Sequence, residues 1–383
     1  MPPPSKIRIL ETIRQGTIGG GETHVLDLVQ ALNKELYEPI VLSFTPGPMV
    51  DRLAAMGVKT CVIPTEKPFN VFKWGQVSQL LKDEQIDLVH AHGTRAASNT
   101  FWAAKRLGLP IVYTVHGWSF HVDQPPVVRK IRQLGEQLLV SQADVTVCVS
   151  DSNRQDGLAF SPMARSVVIR NGVNLQKFNP DRAFKDLRAE LGLGADRILI
   201  GCIARITGQK DPLSFVRAVA AMPASLPATF LLVGNGDLKA AAVQLAQDLQ
   251  LGARLVFLEA RQDIPDVLRA LDIYCLPSLW EGLSIGLLEA MAMGKAVVAT
   301  AIDGTREVVQ DGVNGLCIPP KSPEQLAAAL TRLLADAGLR GRLGAAARQT
   351  VAREFNVETM TRQVEQLYQQ LAPARAVPRP AAV

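Results

Sequence analysis

The sequence has few cysteines and no long apolar run. Only 5 of its 383 residues are cysteine, and they form no C-x-x-C pair. Isolated thiols of this kind are typical of buried structural cysteines in a reducing compartment, so a disulfide scaffold is excluded. No stretch of ~18 consecutive apolar residues occurs, so we expect no transmembrane helix. The chain enters a strand after MPPPSK without an apolar signal region, and we therefore expect a cytoplasmic protein.

Charge and aromatic content are also modest. Charged residues make up 20% of the chain, aromatic residues 5% and hydrophobic residues 48%, as in a globular protein. The net charge of +5 fits an acidic ligand or an anionic surface, but it is too small to indicate nucleic-acid binding by itself. The dinucleotide pattern G-x-G-x-x-G is missing, which disfavours an NAD-dependent enzyme.

Apolar strand-like segments alternate with amphipathic helical segments through both halves of the chain. Such alternation predicts an α/β protein with parallel sheets covered on both faces, and the length suits two domains. We expect a Rossmann-like domain over residues 1–175, a second over 176–356, a helix over 357–371 that crosses back to the first domain, and a disordered tail over 372–383. A ligand site is expected in the cleft between two such domains.

Residues 277–300 are the most informative segment, because they predict a loop, a buried helix and a buried strand. Ser284 is a suitable N-cap for the helix, and Gly294 ends it. Glu289 lies within this apolar helix, so its carboxylate requires hydrogen-bond donors. Glu281 lies just ahead of the helix N-terminus, where free N–H groups favour an anion. We expect a sugar nucleotide here, with its phosphates at the helix start and its hydroxyls donating to both glutamates.

Three glycine-rich or basic loops follow predicted strands, at the edge of a parallel sheet where ligands bind. Arg205 and Lys210 share one tight loop, and their two positive charges match a diphosphate. Gly20 and Gly21, in the triplet that precedes the first helix, and Gly234 and Gly236, in a loop of the second half, allow close backbone approach to a ligand. Solvated surface charge and ordinary turns remain the alternative interpretations of these loops.

Two predicted strand ends carry histidine. His116 lies where a strand stops and a glycine turns the chain, so we favour a functional role for it. We favour a structural role for His92. No set of ligands at the spacing of a known metal motif is visible, so we expect no bound metal.

Together these features resemble the family 4 retaining glycosyltransferases, which have the two-domain GT-B fold. The resemblance extends over nearly the whole chain. The motifs that carry it are Gly19-Gly-Gly-Glu22, His90-Ala-His92-Gly, His116-Gly, Asn171-Gly-Val-Asn with Phe178, Arg205 with Lys210, Pro277-Ser with Glu281-Gly, Glu289-Ala-Met and Asp311-Gly-Val-Asn-Gly-Leu. Ala204 stands where the family often has glycine, and Leu283-Ser-Ile where many members have Phe-Gly-Leu. The second departure touches the sugar-facing loop, so the donor sugar cannot be copied from better-known members.

The resemblance implies a role for each candidate residue. Arg205 and Lys210 clamp the diphosphate, and Glu289 accepts the ribose hydroxyls. Glu281 faces the donor sugar. The remaining expected contacts are the backbone N–H groups of Leu283 and Ser284, His116 at the sugar, the loop of Gly20 and Gly21 near the phosphates, and the loop of Gly234 and Gly236 near the base or ribose. The family usually needs no metal, because the cationic pair neutralises the leaving group.

The implied function is transfer of a hexosyl or N-acetylhexosaminyl group, with retention, from a nucleotide sugar to a glycan or glycolipid acceptor. We favour a UDP-sugar, with GDP-mannose next, and a place in bacterial surface polysaccharide or lipopolysaccharide synthesis. A nucleotide-sugar epimerase, a phosphorylase of the same fold and a non-catalytic sugar-nucleotide-binding protein are the alternatives. Basic residues at 105–106 and 129–132 favour peripheral contact with the inner face of the plasma membrane, and a solvated basic face explains them equally well.

Overall fold

A computed structural model describes residues 6–121, 123–163, 165–194 and 196–372. Apart from Ala372, the predicted disordered tail lies outside the described residues. The described strands are β1 (Ile7–Ile13), β2 (Tyr37–Ser43), β3 (Lys59–Val62), β4 (Leu88–His92), β5 (Ile111–Val115), β6 (Val145–Cys148), β7 (Ser166–Val168), β8 (Ile198–Ile203), β9 (Ala228–Val233), β10 (Leu255–Leu258), β11 (Ile273–Leu276), β12 (Ala296–Thr300) and β13 (Leu316–Ile318).

Helices fill most of the intervals between these strands, as alternating patterns predict. The described helices are α1 (Gly20–Ala31), α2 (Pro48–Ala55), α3 (Val71–Asp83), α4 (Thr94–Arg106), α5 (Pro126–Gln142), α6 (Asp151–Leu158), α7 (Leu187–Glu190), α8 (Pro212–Ala221), α9 (Lys239–Asp248), α10 (Ile264–Ala270), α11 (Ile285–Ala292), α12 (Pro323–Ala335), α13 (Ala337–Glu354) and α14 (Val357–Leu371).

The chain divides into two compact units. The first comprises the described residues up to 171 together with those from 357 onward, and the second comprises residues 172–356. The C-terminal helix α14 therefore belongs to the first unit, where Met360, Val364 and Tyr368 are buried in a core with Ile9.

The first unit is built on a seven-stranded parallel sheet with the order β3-β2-β1-β4-β5-β6-β7. Consecutive residues of β1 enter two separate cores, because successive side chains of a strand point to opposite faces. Ile9 packs in the core that includes α14, whereas Leu10 packs in a core with Ile40 and Tyr113. Both faces of the sheet are thus covered, as a parallel sheet requires.

The second unit repeats this plan with a six-stranded parallel sheet, in the order β10-β9-β8-β11-β12-β13. Its core is apolar and includes Ile200, Phe215, Phe230 and Val298. Two parallel sheets with interleaved helices constitute the GT-B fold class that was expected.

The long helix α13 was missed by the sequence pattern, which placed no helix between residues 335 and 357. Its sequence, AGLRGRLGAAARQTVARE, is rich in alanine, arginine and glycine, so its apolar periodicity is weak. Burial of Leu339, Leu343, Ala347 and Val351 stabilises the helix through tertiary packing.

The cysteines and helices agree with the expectations drawn from composition. All five cysteines are free thiols, and three of them are buried. Burial raises the pKa of Cys148 and Cys202 to about 12, so both remain protonated and unreactive. Within the described ranges, no helix combines the length and apolar character needed to cross a bilayer.

Strand order also locates the places where ligands bind. In open parallel sheets, ligands bind beyond the carboxyl ends of the strands at the point where the strand order reverses. That point lies between β1 and β4 in the first unit and between β8 and β11 in the second.

Candidate active-site residues

In the second unit, the two strands at the reversal point each deliver a charged side chain. Lys210 follows β8 and Glu281 follows β11, and Nζ of the lysine forms an ion pair with Oε1 of the glutamate. The exposed fractions are only 15% and 7%, so the pair is shielded from water. Ser278 Oγ donates a second hydrogen bond, of 2.7 Å, to the same carboxylate oxygen. Lys210 and Glu281, which are 71 residues apart in the sequence, are therefore in direct contact.

Backbone and side-chain hydrogen bonds fix the loops that carry this pair. Gln209 bridges the β8 and β11 loops, since its Nε2 donates to Trp280 O at 2.9 Å and its carbonyl accepts from Leu279 N at 2.8 Å. The loop after β12 joins them, because Asp303 Oδ2 accepts from Glu281 N at 3.2 Å. These hydrogen bonds fix the loop of Lys210 and the loop of Glu281 relative to each other.

The position of Lys210 depends on the start of α8. Asp211 has a φ of 45°, in the left-handed region that non-glycine residues rarely adopt. Its side chain accepts from the backbone N of Ser214 at 3.3 Å and from the hydroxyl of the same serine at 2.6 Å. Asp211 is therefore the N-cap of α8, and Pro212 is its first helical residue. Strain of this kind is typical of functional loops.

Arg205 belongs to the same loop but is exposed. Within the part of the chain that the structure describes, its guanidinium has no hydrogen bond or ion pair. The loop thus presents one neutralised cation, Lys210, and one cation available to an anion in solution.

Helix α11 begins beside these charges. Ser284 is its N-cap, as predicted, and its hydroxyl accepts from Leu287 N at 3.4 Å. Leu283 and Ser284 are buried, and Glu289 is 9% exposed one turn into the helix. The nearby carboxylates Glu281 and Glu289 contribute to raising the pKa of Tyr274, for which burial is the main cause. A helix N-terminus and two carboxylates therefore occupy one edge of the sheet.

Gly234 and Gly236 lie against the Arg205 loop from the β9 side. A Cβ on Gly234 would come within 2.0 Å of Ala204 O, and one on Gly236 within 2.2 Å of Ile206 O. Gly234 also has a φ of 143°, which favours glycine. These contacts give both glycines a structural role in supporting the loop, while their predicted contact with the donor stays a prediction.

Residues 282–286, Gly-Leu-Ser-Ile-Gly, match the pattern G-x-S-x-G of serine hydrolases and lie between a strand and a helix. The hydroxyl of Ser284 is occupied as a helix cap, and all five histidines of the chain fall in the first unit. The second unit therefore supplies no histidine base to this serine, and hydrolase chemistry has no support.

In the first unit, the reversal point contains a buried hydrogen-bond network centred on Glu11. Its Oε1 accepts from Tyr368 OH at 2.6 Å, and its Oε2 lies 2.8 Å from His92 Nε2 and 3.2 Å from His90 Nδ1. Burial by itself would raise the pKa of Glu11, but the adjacent His90 and the hydrogen bonds from both histidines hold it far below its usual range. Glu11 is an ionised carboxylate inside the protein.

His116 adjoins this network. Its Nε2 lies 3.2 Å from His92 Nδ1, and its ring contacts that of His24 edge-on, with centroids 4.8 Å apart. Burial lowers the pKa of His24 to about 3 and of His92 to about 4, with the other histidines adding to the effect, and burial lowers the pKa of His116 well below its usual value. The three imidazoles are neutral at pH 7. His92, for which we favoured a structural role, is the link between Glu11 and His116.

The glycine triplet lies at the start of α1. Gly19 is the N-cap and Gly20 the first helical residue, with open space around the Cβ position of Gly20. The Cβ position of Gly21 lies 3.5 Å from the ring of His116, which is ordinary contact. Two predicted site residues, Gly21 and His116, are thus adjacent.

Sequence reasoning missed the residues that support the site. Ser278, Asp303 and Gln209 hold Glu281 and its loop in the second unit. In the first unit, Glu11 contacts His92 and is itself held by Tyr368. Asp303 had a usable signal, because it follows a predicted strand. Glu11 and Tyr368 had none, because only the packing of α14 brings residues 357 positions apart together.

The chain matches two family models of glycosyltransferases. Residues 18–177 match the family model "Glycosyltransferase Family 4", and residues 183–350 match "Glycosyl transferases group 1". The chain is a family 4 glycosyltransferase. The alternative enzyme classes and the non-catalytic interpretation are therefore disfavoured.

Relatives of this glycosyltransferase span nearly its whole length. It is 28% identical over 378 residues to an Escherichia coli UDP-Gal:alpha-D-GlcNAc-diphosphoundecaprenol alpha-1,3-galactosyltransferase. The matched region covers 95% of this chain and 97% of that protein. It is 29% identical over 350 residues to a D-inositol 3-phosphate glycosyltransferase of Mycobacterium ulcerans, covering 85% and 73% of the two chains. The crystal structure of Anabaena HepE in complex with UDP and glucose has a TM-score of 0.85 at 23% identity, covering 95% of this chain and 100% of the other.

Proposed function

We propose that this glycosyltransferase moves a hexosyl or N-acetylhexosaminyl group, with retention, from a UDP-sugar to a glycan or lipid-linked acceptor in surface polysaccharide or lipopolysaccharide synthesis. The observation that carries the proposal is the Lys210–Glu281 pair at the strand-order reversal of the second sheet. A nucleotide sugar needs a cation for its diphosphate and a carboxylate for its hydroxyls, and this edge provides both beside a helix N-terminus.

The comparisons support UDP as the nucleotide. The Anabaena HepE structure contains UDP and glucose, and the E. coli relative is named for UDP-Gal and a diphosphoundecaprenol acceptor. We therefore favour a UDP-sugar over GDP-mannose and a diphosphate-linked lipid as acceptor. The same acceptor would place the protein at the inner face of the plasma membrane.

The reaction breaks the bond between C1 of the sugar and an oxygen of the β-phosphate, so negative charge develops on the leaving diphosphate. Arg205, Lys210 and the N–H groups at the start of α11, near Leu283 and Ser284, are placed to stabilise that charge. Because Lys210 already contacts Glu281, the donor binds by sharing the lysine with the carboxylate. These cations make a metal ion unnecessary for transfer.

Further roles follow the same proposal. Glu281 contacts the sugar and Glu289 the ribose hydroxyls, while Gly234 and Gly236 bring backbone close to the base or ribose. His116 is a catalytic residue that contacts the sugar, and the loop of Gly20 and Gly21 passes near the phosphates.

An assay of the purified chain tests these statements. UDP-, GDP- and ADP-sugars are offered with and without a lipid-diphosphate N-acetylglucosamine acceptor, and the anomeric configuration of the product is read by NMR. We expect transfer from a UDP-sugar, formation of an α-linked product from an α-linked donor, and no loss of rate in EDTA. Inversion, a GDP-sugar preference, or loss of activity in EDTA would each refute the corresponding part of the proposal.

Helix α5 is proposed to contact an anionic membrane. Along one side it exposes large apolar side chains, including Val127 at 70%, Ile131 at 64% and Leu134 at 52%. Lys130 and Arg132 are exposed on the same helix. Apolar residues flanked by cations are complementary to a negatively charged bilayer surface.

Vesicle sedimentation tests this contact. We expect binding to vesicles containing phosphatidylglycerol, weaker binding to neutral vesicles, and a loss of binding in the Ile131→Asp variant. Leu249→Asp, which alters an exposed leucine of the second unit, is the matched control. Equal binding by Ile131→Asp and the wild type would contradict the assignment.

A further inference from the structure

Four of the five histidines in the chain converge in the first unit, and three of them face a common point. One ring nitrogen from each of His24, His92 and His116 lies within 4.8 Å of those of the other two. His24 and His92 are 3% and 1% exposed, and they come from α1 and β4, whereas His116 follows β5. Three separate elements therefore aim imidazoles at one place.

Hydrogen bonds on the far side of two rings fix their tautomers. The ionised Glu11 is acceptor only, so His92 Nε2 carries the proton and its Nδ1 presents a lone pair to the common point. Asn171 Oδ1 lies 3.0 Å from His24 Nδ1, so that nitrogen donates and His24 Nε2 presents a second lone pair.

The hydrogen bonds available within this cluster leave one ring nitrogen without a donor. His116 Nε2 can donate one hydrogen bond, to His92 Nδ1 at 3.2 Å. His24 Nε2 is then left buried without any hydrogen-bond partner. A buried acceptor without a partner costs free energy, and a bound ion is one of the recognised explanations for it.

We propose that His24, His92 and His116 form a binding site for a divalent ion of the zinc class. Neutral imidazoles suit Zn²⁺ and its neighbours Co²⁺ and Ni²⁺, whereas Mg²⁺ and Ca²⁺ prefer oxygen ligands. Tetrahedral Zn²⁺ with bonds of ~2.0 Å places ligand nitrogens roughly 3.3 Å apart. The 3.2 Å between His92 Nδ1 and His116 Nε2 matches that spacing, and His116 ligates through Nε2 when its proton is on Nδ1.

The groups behind the ligands have the arrangement that metal sites use. A histidine ligand usually donates its other N–H to a carboxylate or carbonyl, which orients the ring and increases its basicity. Glu11 does this for His92 and Asn171 for His24. The negative charge of Glu11 also offsets part of the charge of the ion.

The adjacent group of Glu11, His90 and His92 also brings three potential ligands together, but it is not proposed as a site. Both ring nitrogens of His90 have partners, since Nδ1 lies 2.5 Å from Tyr368 OH and Nε2 lies 2.7 Å from Thr114 Oγ1. That group is a satisfied scaffold, whereas the three-histidine group has an unsatisfied lone pair.

An ion held here would withdraw His116 from the role proposed for it in transfer. The ion is therefore an inhibitor of transfer, and the enzyme without it is the active form. Binding of the ion does not depend on the proposed reaction, so the two proposals fail independently.

Cobalt titration of the chelator-treated full-length chain tests the site. We expect one equivalent of Co²⁺ to produce the d–d absorption of a tetrahedral nitrogen-ligated ion, and one equivalent of Zn²⁺ to abolish it. His24→Asn should bind at least 100-fold more weakly, and Asn171→Ala, which removes the group behind His24, about 10- to 100-fold more weakly. His121→Asn, which changes the histidine outside the cluster, should bind as the wild type does.

Thermal melting separates loss of the site from loss of folding. In metal-free solution, His24→Asn should melt within a few degrees of the wild type, because the nitrogen facing the cluster makes no hydrogen bond to lose. Zn²⁺ should raise the melting temperature of the wild type and leave that of His24→Asn unchanged. Absence of tetrahedral d–d bands in the wild type, or their persistence in a folded His24→Asn, would overturn the proposal.

Discussion

Both sheets carry polar groups at the point where the strand order reverses, but the two groups differ in burial and in their partners. At the β1/β4 reversal of the first unit, Glu11, His90 and His92 are buried and hydrogen-bonded to protein. At the β8/β11 reversal of the second unit, Lys210 and Glu281 pair with each other, and Arg205 is exposed to solvent.

This difference shows what each arrangement is suited to do. A buried carboxylate is tolerated only when donors surround it, and Tyr368, His90 and His92 surround Glu11. The first cluster is therefore a hydrogen-bonded scaffold that orients His116 through His92. In the second cluster Arg205 is exposed and Lys210 is only partly buried, so these two cations can take up an anion. We infer that the cluster of the first unit positions His116 and that the cluster of the second unit binds an anion.

The largest expected effect is on the second cluster. Lys210→Ala removes the cation from the leaving diphosphate, and loss of one such preorganised donor costs about 10²- to 10³-fold in kcat. Steady-state transfer rates with the cognate donor measure it. Arg348→Ala is the control, because it breaks an exposed ion pair of the same unit, with Asp181. Similar turnover in the two variants would show that Lys210 contributes no more to transfer than a residue of a surface ion pair.

Glu11→Gln tests the first cluster through stability. The amide cannot accept hydrogen bonds from Tyr368, His90 and His92 as the carboxylate does, so we expect a loss of about 3 kcal/mol in the unfolding free energy. Urea denaturation measures it. Tyr368→Phe should cost less, about 2 kcal/mol, because it removes the two hydrogen bonds of one hydroxyl, with Glu11 and His90. A Glu11→Gln variant as stable as the wild type would show that the cluster is not a scaffold.

The histidines of the first cluster should also make the stability of the protein depend on pH. Burial depresses the pKa of His24 to about 3 and of His92 to about 4, so between pH 6.5 and 4 these histidines take up protons only when the chain unfolds. Stability therefore falls as pH decreases through this window. Between pH 6.5 and 5.5 we expect a loss of about 2 kcal/mol for the two groups together. Glu11, whose pKa is also depressed, extends the loss to lower pH.

Denaturation at several pH values, followed by tryptophan fluorescence, measures this slope. Three of the four tryptophans lie in the first unit, among them the buried Trp118, and the half-buried Trp280 lies in the second. A double variant, His24→Asn with His92→Asn, should lose most of the slope. An unchanged slope would mean that other groups cause it.

The smallest expected effect concerns the support of the Arg205 loop. Gly234→Ala introduces a Cβ that meets Ala204 O and disfavours the positive φ, at a cost of about 1–2 kcal/mol. We expect weaker donor binding with little change in turnover at saturating donor, because the loop shifts while Lys210 stays paired. Gly208→Ala, at a position of the same loop with open space around its Cβ, is the control. Equal donor KM in the two variants would exclude the supporting role.

The candidate site was predictable where a local pattern specifies it. Asp211-Pro212 fixes the start of α8, and Ser284 fixes the start of α11, because caps depend on adjacent residues. The positions of Lys210 and Glu281 after strands also follow from the alternating pattern. Their direct contact does not, because it depends on β8 and β11 being neighbours in the sheet.

The sequence by itself determined that this chain forms two parallel sheets covered by helices, since apolar periodicity and helix caps are local properties. It also identified most of the charged residues that directly follow strands. Only the tertiary structure decided that Tyr368 reaches Glu11, that α13 is a helix, and that three histidines from separate elements converge. Those outcomes depend on packing between distant segments, and no single segment of the sequence encodes the energy of such contacts.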